Sequence, residues 1–330
     1  DATAVAGGWK EVGRTTLGSA GDIISVASLA DKRYYMVLNS VIPSGSVSPR
    51  RRLNNDSGSN YSARTSGNGS SDATNTSISY FNTYTNYSNP YFQIDNIVNI
   101  SNKEKLNISQ LVDQNSAGAG TAPQREEGVN KWANTSASIN RYDSVNTEGG
   151  DYNTGSEVVV LGWDDSDTHT TNFWEELADI SLTSTNTSLD SGTFTAKKYL
   201  WVQMYQKGMT GNNTLYNFNS DTGSSYARRW RIDGGTEWTT GSTTGLMCHN
   251  AVGTQTDNFF NMFIVNNSAN EKLVISSSVY TISTGAGSPP SREEHVGKWD
   301  NTSSQITSIQ FDHGGSNFGI GSSIKVWGSN

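Results

Sequence analysis

Apolar residues in this chain come in short bursts that end in turn residues. Residues 34–42 are mostly apolar and stop at Pro43-Ser44-Gly45, residues 91–100 alternate apolar and polar, and Phe259 opens a similar run. Residues 157–163 and 324–328 are further apolar runs. Runs of this length, bounded by Gly, Ser, Asn and Asp, read as β-strands. Only residues 174–179, Trp-Glu-Glu-Leu-Ala-Asp, read as helical, whereas Glu11 sits in a non-helical context.

The pattern repeats. Trp9 and Glu11 recur as Trp174 and Glu176, and Lys32-Arg33-Tyr34 recurs as Lys197-Lys198-Tyr199. Residues 54–64 (NNDSGSNYSAR) recur as 219–229 (NSDTGSSYARR), and residues 99–109 recur from Asn266. The longest match sets residues 116–139 against 283–306, and within it REEGVNKWANTSASI and REEHVGKWDNTSSQI share ten of 15 positions. A fixed-period match of this length is the mark of a tandem duplication. We expect a first domain over residues 1–163 with a short N-terminal arm, a linker over 164–172, and a second domain over 173–330. About eight short strands per copy predict an all-β chain of two antiparallel β-sandwiches, with jelly-roll topology suiting the copy length and its long loops.

Composition narrows the function. The chain has 330 residues, 16% charged, with 23 basic and 31 acidic side chains and a net charge of −8. That balance disfavours nucleic acid as a partner. No apolar run approaches the ~18 residues of a membrane span. One cysteine excludes an intrachain disulfide framework. The first residue is Asp, so we expect a signal or prosegment to have been removed upstream.

Arg125-Glu126-Glu127 and its repeat Arg292-Glu293-Glu294 are the first candidates for chemistry, because paired carboxylates hydrolyse glycosides. Adjacent strand residues face opposite ways, however, so the favoured reading is that these groups tie loops to their sheets or to a neighbouring subunit. Trp132 and Trp299 recur within the same block and read as core or interface anchors, with sugar stacking the weaker alternative. Asp164, Asp165 and Asp167 leave room for an irregular calcium site, although solvation of the linker is favoured. Asp56 and Asp221 read as Asx-turns.

Cys248-His249, with His169, His295 and His313 scattered, shows no zinc spacing. Arg50-Arg51-Arg52 and Arg228-Arg229-Trp230-Arg231 are basic clusters suited to an acidic neighbour, or to a solvated sheet face. Twelve Asn-X-Ser/Thr sequons, Asn75, Asn86, Asn134, Asn212 and Asn301 among them, permit glycosylation without showing it. We expect no enzyme activity and no cofactor.

The segments GWKEVGRTTLGSAGDIISV, KRYYMVLNSVIPSG, NNDSGSNY and REE.V.KWANTS together resemble a group of virion proteins from tailed phages and environmental viruses. The resemblance spans both copies, although members of that group are single copies, and its motifs are structural. It implies a jelly-roll structural protein of a virus particle (capsid, decoration, spike or tail) whose partners are further copies or other virion proteins. Two alternatives stand beside it. One is a secreted cell-surface filament subunit or adhesin whose N-terminal DATAVAGG arm donates a strand. The other is a carbohydrate-binding module that recognises a host-surface glycan.

Overall fold

The computed structural model describes residues 8–167, 172–208, 212–250, 257–281, 283 and 285–330. The chain divides into two compact units, Asp1–Asn115 with Gln124–Phe173, and Ser116–Pro123 with Trp174–Asn330. The expected domains ran without interruption, whereas here Ser116–Pro123 belongs with the second unit. The N-terminal arm expected as a donor strand (residues 1–7) and His169 lie outside the described residues.

The first unit holds β1 (Lys10–Thr16), β2 (Ile23–Ala27), β3 (Tyr34–Val41), β4 (Arg50–Leu53), β5 (Tyr61–Gly67) and β6 (Ala73–Ile78), followed by β7 (Tyr91–Val98), β8 (Lys105–Asp113), β9 (Gln124–Trp132), β10 (Arg141–Val145) and β11 (Glu157–Trp163). The second holds β12 (Glu175–Ser181), β13 (Ser188–Asp190), β14 (Tyr199–Lys207), β15 (Thr214–Phe218), β16 (Tyr226–Ile232) and β17 (Glu237–Thr243). It continues with β18 (Leu246–His249), β19 (Asp257–Val265), β20 (Lys272–Tyr280), β21 (Ser291–Trp299), β22 (Ile309–Asp312) and β23 (Ser323–Ser329). Among the described residues no helix is long and apolar enough to cross a membrane.

Both units are antiparallel β-sandwiches of the jelly-roll kind. In the second, one sheet contains the order β12-β23-β14-β19 and the other is β13-β22-β15-β18. Counting only those eight strands along the chain, the orders are first-eighth-third-sixth and second-seventh-fourth-fifth. This interleaving is what a rolled-up pair of Greek keys produces. Strands β20, β21, β16 and β17 then extend the first sheet beyond β19. The first unit follows the same plan, with sheets β1-β11-β3-β7-β8-β9-β5-β6 and β2-β10-β4. Its fifth roll strand is reduced to a single bridge between Arg51 and Phe81.

The segment expected to be helical is strand β12. It pairs with β23 from Glu175 to Ser181, with a register shift between Glu176 and Ala178. The same irregularity lies between Glu11 and Gly13 on β1. Helix propensity in six residues is a weak preference, and here a full antiparallel ladder and the packing of Leu177 and Ala178 against the core override it.

Alternating positions from both sheets fill each sandwich. Val37, Leu53, Phe81, Trp132 and Val160 meet in the first unit, and Val202, Phe218, Phe260, Trp299 and Ile309 in the second. Burying such a side chain contributes about 1.5–3 kcal/mol.

Candidate functional site

Strands β9 and β21 carry the repeated Arg-Glu-Glu, and their alternation separates the two carboxylates as the pleat requires. Glu126 points inward and accepts from the Tyr87 hydroxyl at 2.5 Å, while Glu127 pairs with Arg125. Burial pushes the Glu126 carboxyl up to about 7, against the bond from Tyr87.

In the second unit Glu293 is also buried but meets different partners. His295 Nε2 lies 3.0 Å from it and His249 Nδ1 3.4 Å, and the Asn250 amide donates to it at 3.1 Å. Burial alone would raise this carboxyl, but the two imidazoles hold it at about 2. Glu294 pairs with Arg292 at 3.0 Å.

The histidines looked scattered along the chain, yet the fold gathers two of them on one carboxylate. The available signal was the His295-x-Glu293 spacing, which places both side chains on one face of a strand. His249 arrives from β18 across the sandwich, a pairing that spacing does not reveal. Cys248 beside it is buried, accepts from Asn258 at 3.4 Å, and has its thiol pushed well up by burial. Among the described residues, no group of three or more His, Cys, Asp or Glu is placed to hold a metal ion.

Trp132 and Trp299 are interior residues, so of the two expected places, core or interface, they take the core. Each is 1% exposed. Trp132 Nε1 donates to Asp56 at 2.7 Å and Trp299 Nε1 to Asp221 at 2.7 Å. Each indole also stacks on the tyrosine of its own unit, Tyr61 or Tyr226, with centroids 6.2 Å apart. The same aspartates close Asx-turns, accepting from Gly58 and Gly223 at 2.8 Å. The repeated NNDSGSNY and KW motifs are thus two halves of one packing device.

The basic clusters are not equivalent surfaces, and their guanidinium groups already have partners within the chain. Arg51 is fully buried against Asp95 at 3.4 Å. Arg50 lies over the Tyr80 ring, and Arg52 donates to the Ser79 carbonyl at 3.2 Å. The second cluster is on β16, whose counterpart is β5. There Arg228 donates to the Gly245 carbonyl at 3.2 Å and Arg231 to that of Gly235 at 2.9 Å.

The acidic linker is likewise engaged. Asp167 pairs with Lys32 and Asp165 with Arg33. The Asp164 carboxylate accepts from the Ser166 amide and hydroxyl, which hold it down at about 2.

The surface that stands out was not singled out by sequence. On the outer face of the first unit's large sheet, Leu106, Ile108 and Val129 are 54%, 60% and 49% exposed. They line a concavity of about 1090 Å³ that Tyr34, Trp9 and Trp163 bound at one end. Their repeat counterparts Leu273, Ile275 and Val296 are 1%, 3% and 2% exposed.

No family model and no curated protein matches the chain. Among solved structures, domains LG4-5 of the mouse laminin alpha1 chain align over 98% of this chain and 92% of that one, at 9% identity and a TM-score of 0.20. Neisserial surface protein A aligns over 86% and 99%, at 6% identity and a TM-score of 0.13. A Pseudomonas putida F1 outer membrane channel aligns over 82% and 97%, at 10% identity and a TM-score of 0.14. At these scores none of the likenesses carries an argument.

Proposed function

We propose that this chain is a non-enzymatic structural protein that assembles with further copies of itself. One observation carries the reading: the first unit presents Leu106, Ile108 and Val129 to solvent on an ordered sheet face, at positions the second unit buries. A contiguous apolar face of this kind marks an interaction surface. Of the groups that invited a catalytic reading, Glu126, Glu293, His249 and Cys248 are buried in the sandwiches, and Glu127 and Glu294 are each paired with the arginine of their own motif. The sequence resemblance suggests a virion surface as the setting.

Sedimentation velocity and negative-stain imaging at rising concentration test this. Regular species larger than one chain are expected, and a chain that stays monomeric up to its solubility limit overturns the reading.

A carbohydrate-binding role retains one supporting feature, because Trp238 is exposed and stacked on Trp230 at 6.4 Å. Saturable retention on a glycan array that Trp238→Ala abolishes would favour it.

A further inference from the structure

We infer that residues 285–290 of one chain seat on the exposed outer face of the first unit's large sheet in another copy, joining chains head to tail. This rests on the reading of the chain as a self-assembling protein and names the two surfaces that would do it.

The second unit supplies the template. There, Ser116–Pro123 is held over the outer face of the extended sheet by four polar anchors. The Gly118 amide donates to Glu271 at 2.5 Å and Lys298 donates to the Ser116 carbonyl at 2.5 Å. Arg229 donates to the Pro123 carbonyl at 2.7 Å, and the Ser242 amide to that of Ala119 at 2.7 Å. Ala119 and Ala122 are buried in this seat. Leu273, Ile275 and Val296 of the same face are buried as well.

The repeat supplies a second copy of both halves, and among the described residues nothing covers either. Residues 283–290 read STGAGSPP against SAGAGTAP for 116–123. Gly118 and Gly285 share the left-handed backbone the turn needs, at φ 79° and 84°. Yet Ala286, Pro289 and Pro290, the counterparts of Ala119, Ala122 and Pro123, are all exposed.

On the first unit, Glu104, Lys131, Arg64 and Ser77 stand where Glu271, Lys298, Arg229 and Ser242 stand on the second. The Glu104–Lys131 pair is formed at 3.1 Å, as Glu271–Lys298 is at 3.6 Å. Ser77 and Ser242 share an unusual positive φ, 53° and 49°, that turns an amide of the edge strand the same way. Charged anchors and apolar floor are therefore repeated, and the segment that would cover them is present on every chain.

The loop departs from the template at Thr284, Ser288 and Pro289, and the face departs at one contact. Thr76 stands where Gly241 lies, and a Cβ at Gly241 would come within 2.5 Å of the Gly120 carbonyl. The segment must then ride slightly higher on the first unit, which weakens the contact. A single small loop also belongs to the weak, transient class of interface. Because loop and face differ, the contact is heterologous, and it propagates into rings or filaments rather than stopping at a dimer.

The test uses the full chain and two surface variants, Ile108→Asp on the face and Ala286→Asp with Pro289→Asp on the loop, each verified as folded by circular dichroism. In sedimentation velocity the wild type should form species beyond the dimer, and each variant should self-associate at least about tenfold more weakly. Mixed in equal amounts, the two variants should form a heterodimer and nothing larger, since each retains one intact half. Thr76→Gly should associate several-fold more tightly than wild type. If the loop variant assembles as wild type does, the inference falls while the assembly reading stands. A wild type that never associates removes both.

Discussion

Arg51 on β4 and Asp95 on β7 form an ion pair at 3.4 Å with no part of either side chain exposed. Around them, Asp95 accepts from Tyr142 at 2.7 Å and from Asn107 at 3.0 Å, and Asn130 donates to Asn107 at 2.9 Å. Asn39 donates to the Tyr142 hydroxyl at 3.1 Å. The repeat places Tyr216, Met262, Ile309, Val274, Gly297 and Met204 at the six corresponding positions of the second unit, all of them buried. One fold is thus built around a charged network in one copy and an apolar filling in the other.

The cost of breaking such a network differs from the cost of replacing it. Arg51→Met leaves Asp95 charged and without its cation in the interior, and should destabilise the first unit by about 3–5 kcal/mol. Grafting the whole apolar set (Arg51→Tyr, Asp95→Met, Tyr142→Ile, Asn107→Val, Asn130→Gly, Asn39→Met) should cost less than that single change, because no charge is left behind. Denaturant melts of the full chain, with hydrogen exchange to locate the loss, compare the two. A graft more damaging than Arg51→Met would show that the network specifies the packing.

Much of the architecture was legible before any coordinates. Apolar bursts ending in Gly, Ser and Asn gave the strands, and the repeated blocks revealed the duplication. What escaped had physical causes. Residues 174–179 carry a local helical preference that pairing with β23 overrides. Trp132 and Trp299 lie in conserved-looking blocks because both ends of an indole–carboxylate bond are duplicated, and spacing alone does not distinguish that from a surface anchor. Ile108 and Ile275 sit in nearly identical sequence and differ in exposure, 60% against 3%, and only the second lies in the unit that includes Ser116–Pro123. No local pattern encodes that.

The Trp–Asp bonds should behave alike in both copies. Trp132→Phe and Trp299→Phe keep most of the buried ring and remove the donor to Asp56 or Asp221, so each should cost about 1–3 kcal/mol. Partial burial disfavours both carboxylates, but the bonds from Trp132, Asn60 and Gly58, or from Trp299 and Gly223, more than offset it and leave both pKa values lowered. A lowered carboxyl contributes stability above its unfolded pKa and loses it as pH falls through the folded one. The Phe variants should therefore show a shallower acid-side loss than wild type. Parallel curves for variant and wild type would refute the coupling.

Glu126 and Glu293 occupy the same place in the repeat and should respond to pH with opposite sign. Glu126, raised to about 7, favours the fold while protonated, so its contribution is complete below the unfolded value near 4.5 and is lost as pH rises towards 7. Glu293, held at about 2, contributes above the unfolded value and loses that contribution as pH falls towards 2. Glu126→Gln keeps an acceptor for Tyr87 and removes the penalised charge. It should flatten the decline of the first unit between pH 4.5 and 7 and leave it at least as stable as wild type at pH 7.5. Glu293→Gln removes the charge that His249 and His295 face and should weaken the second unit at neutral pH, with the difference from wild type vanishing towards pH 2. Hydrogen exchange across a pH series resolves the two units by peptide. Equal responses in β9 and β21 would show that the imidazoles do not set the difference between the copies.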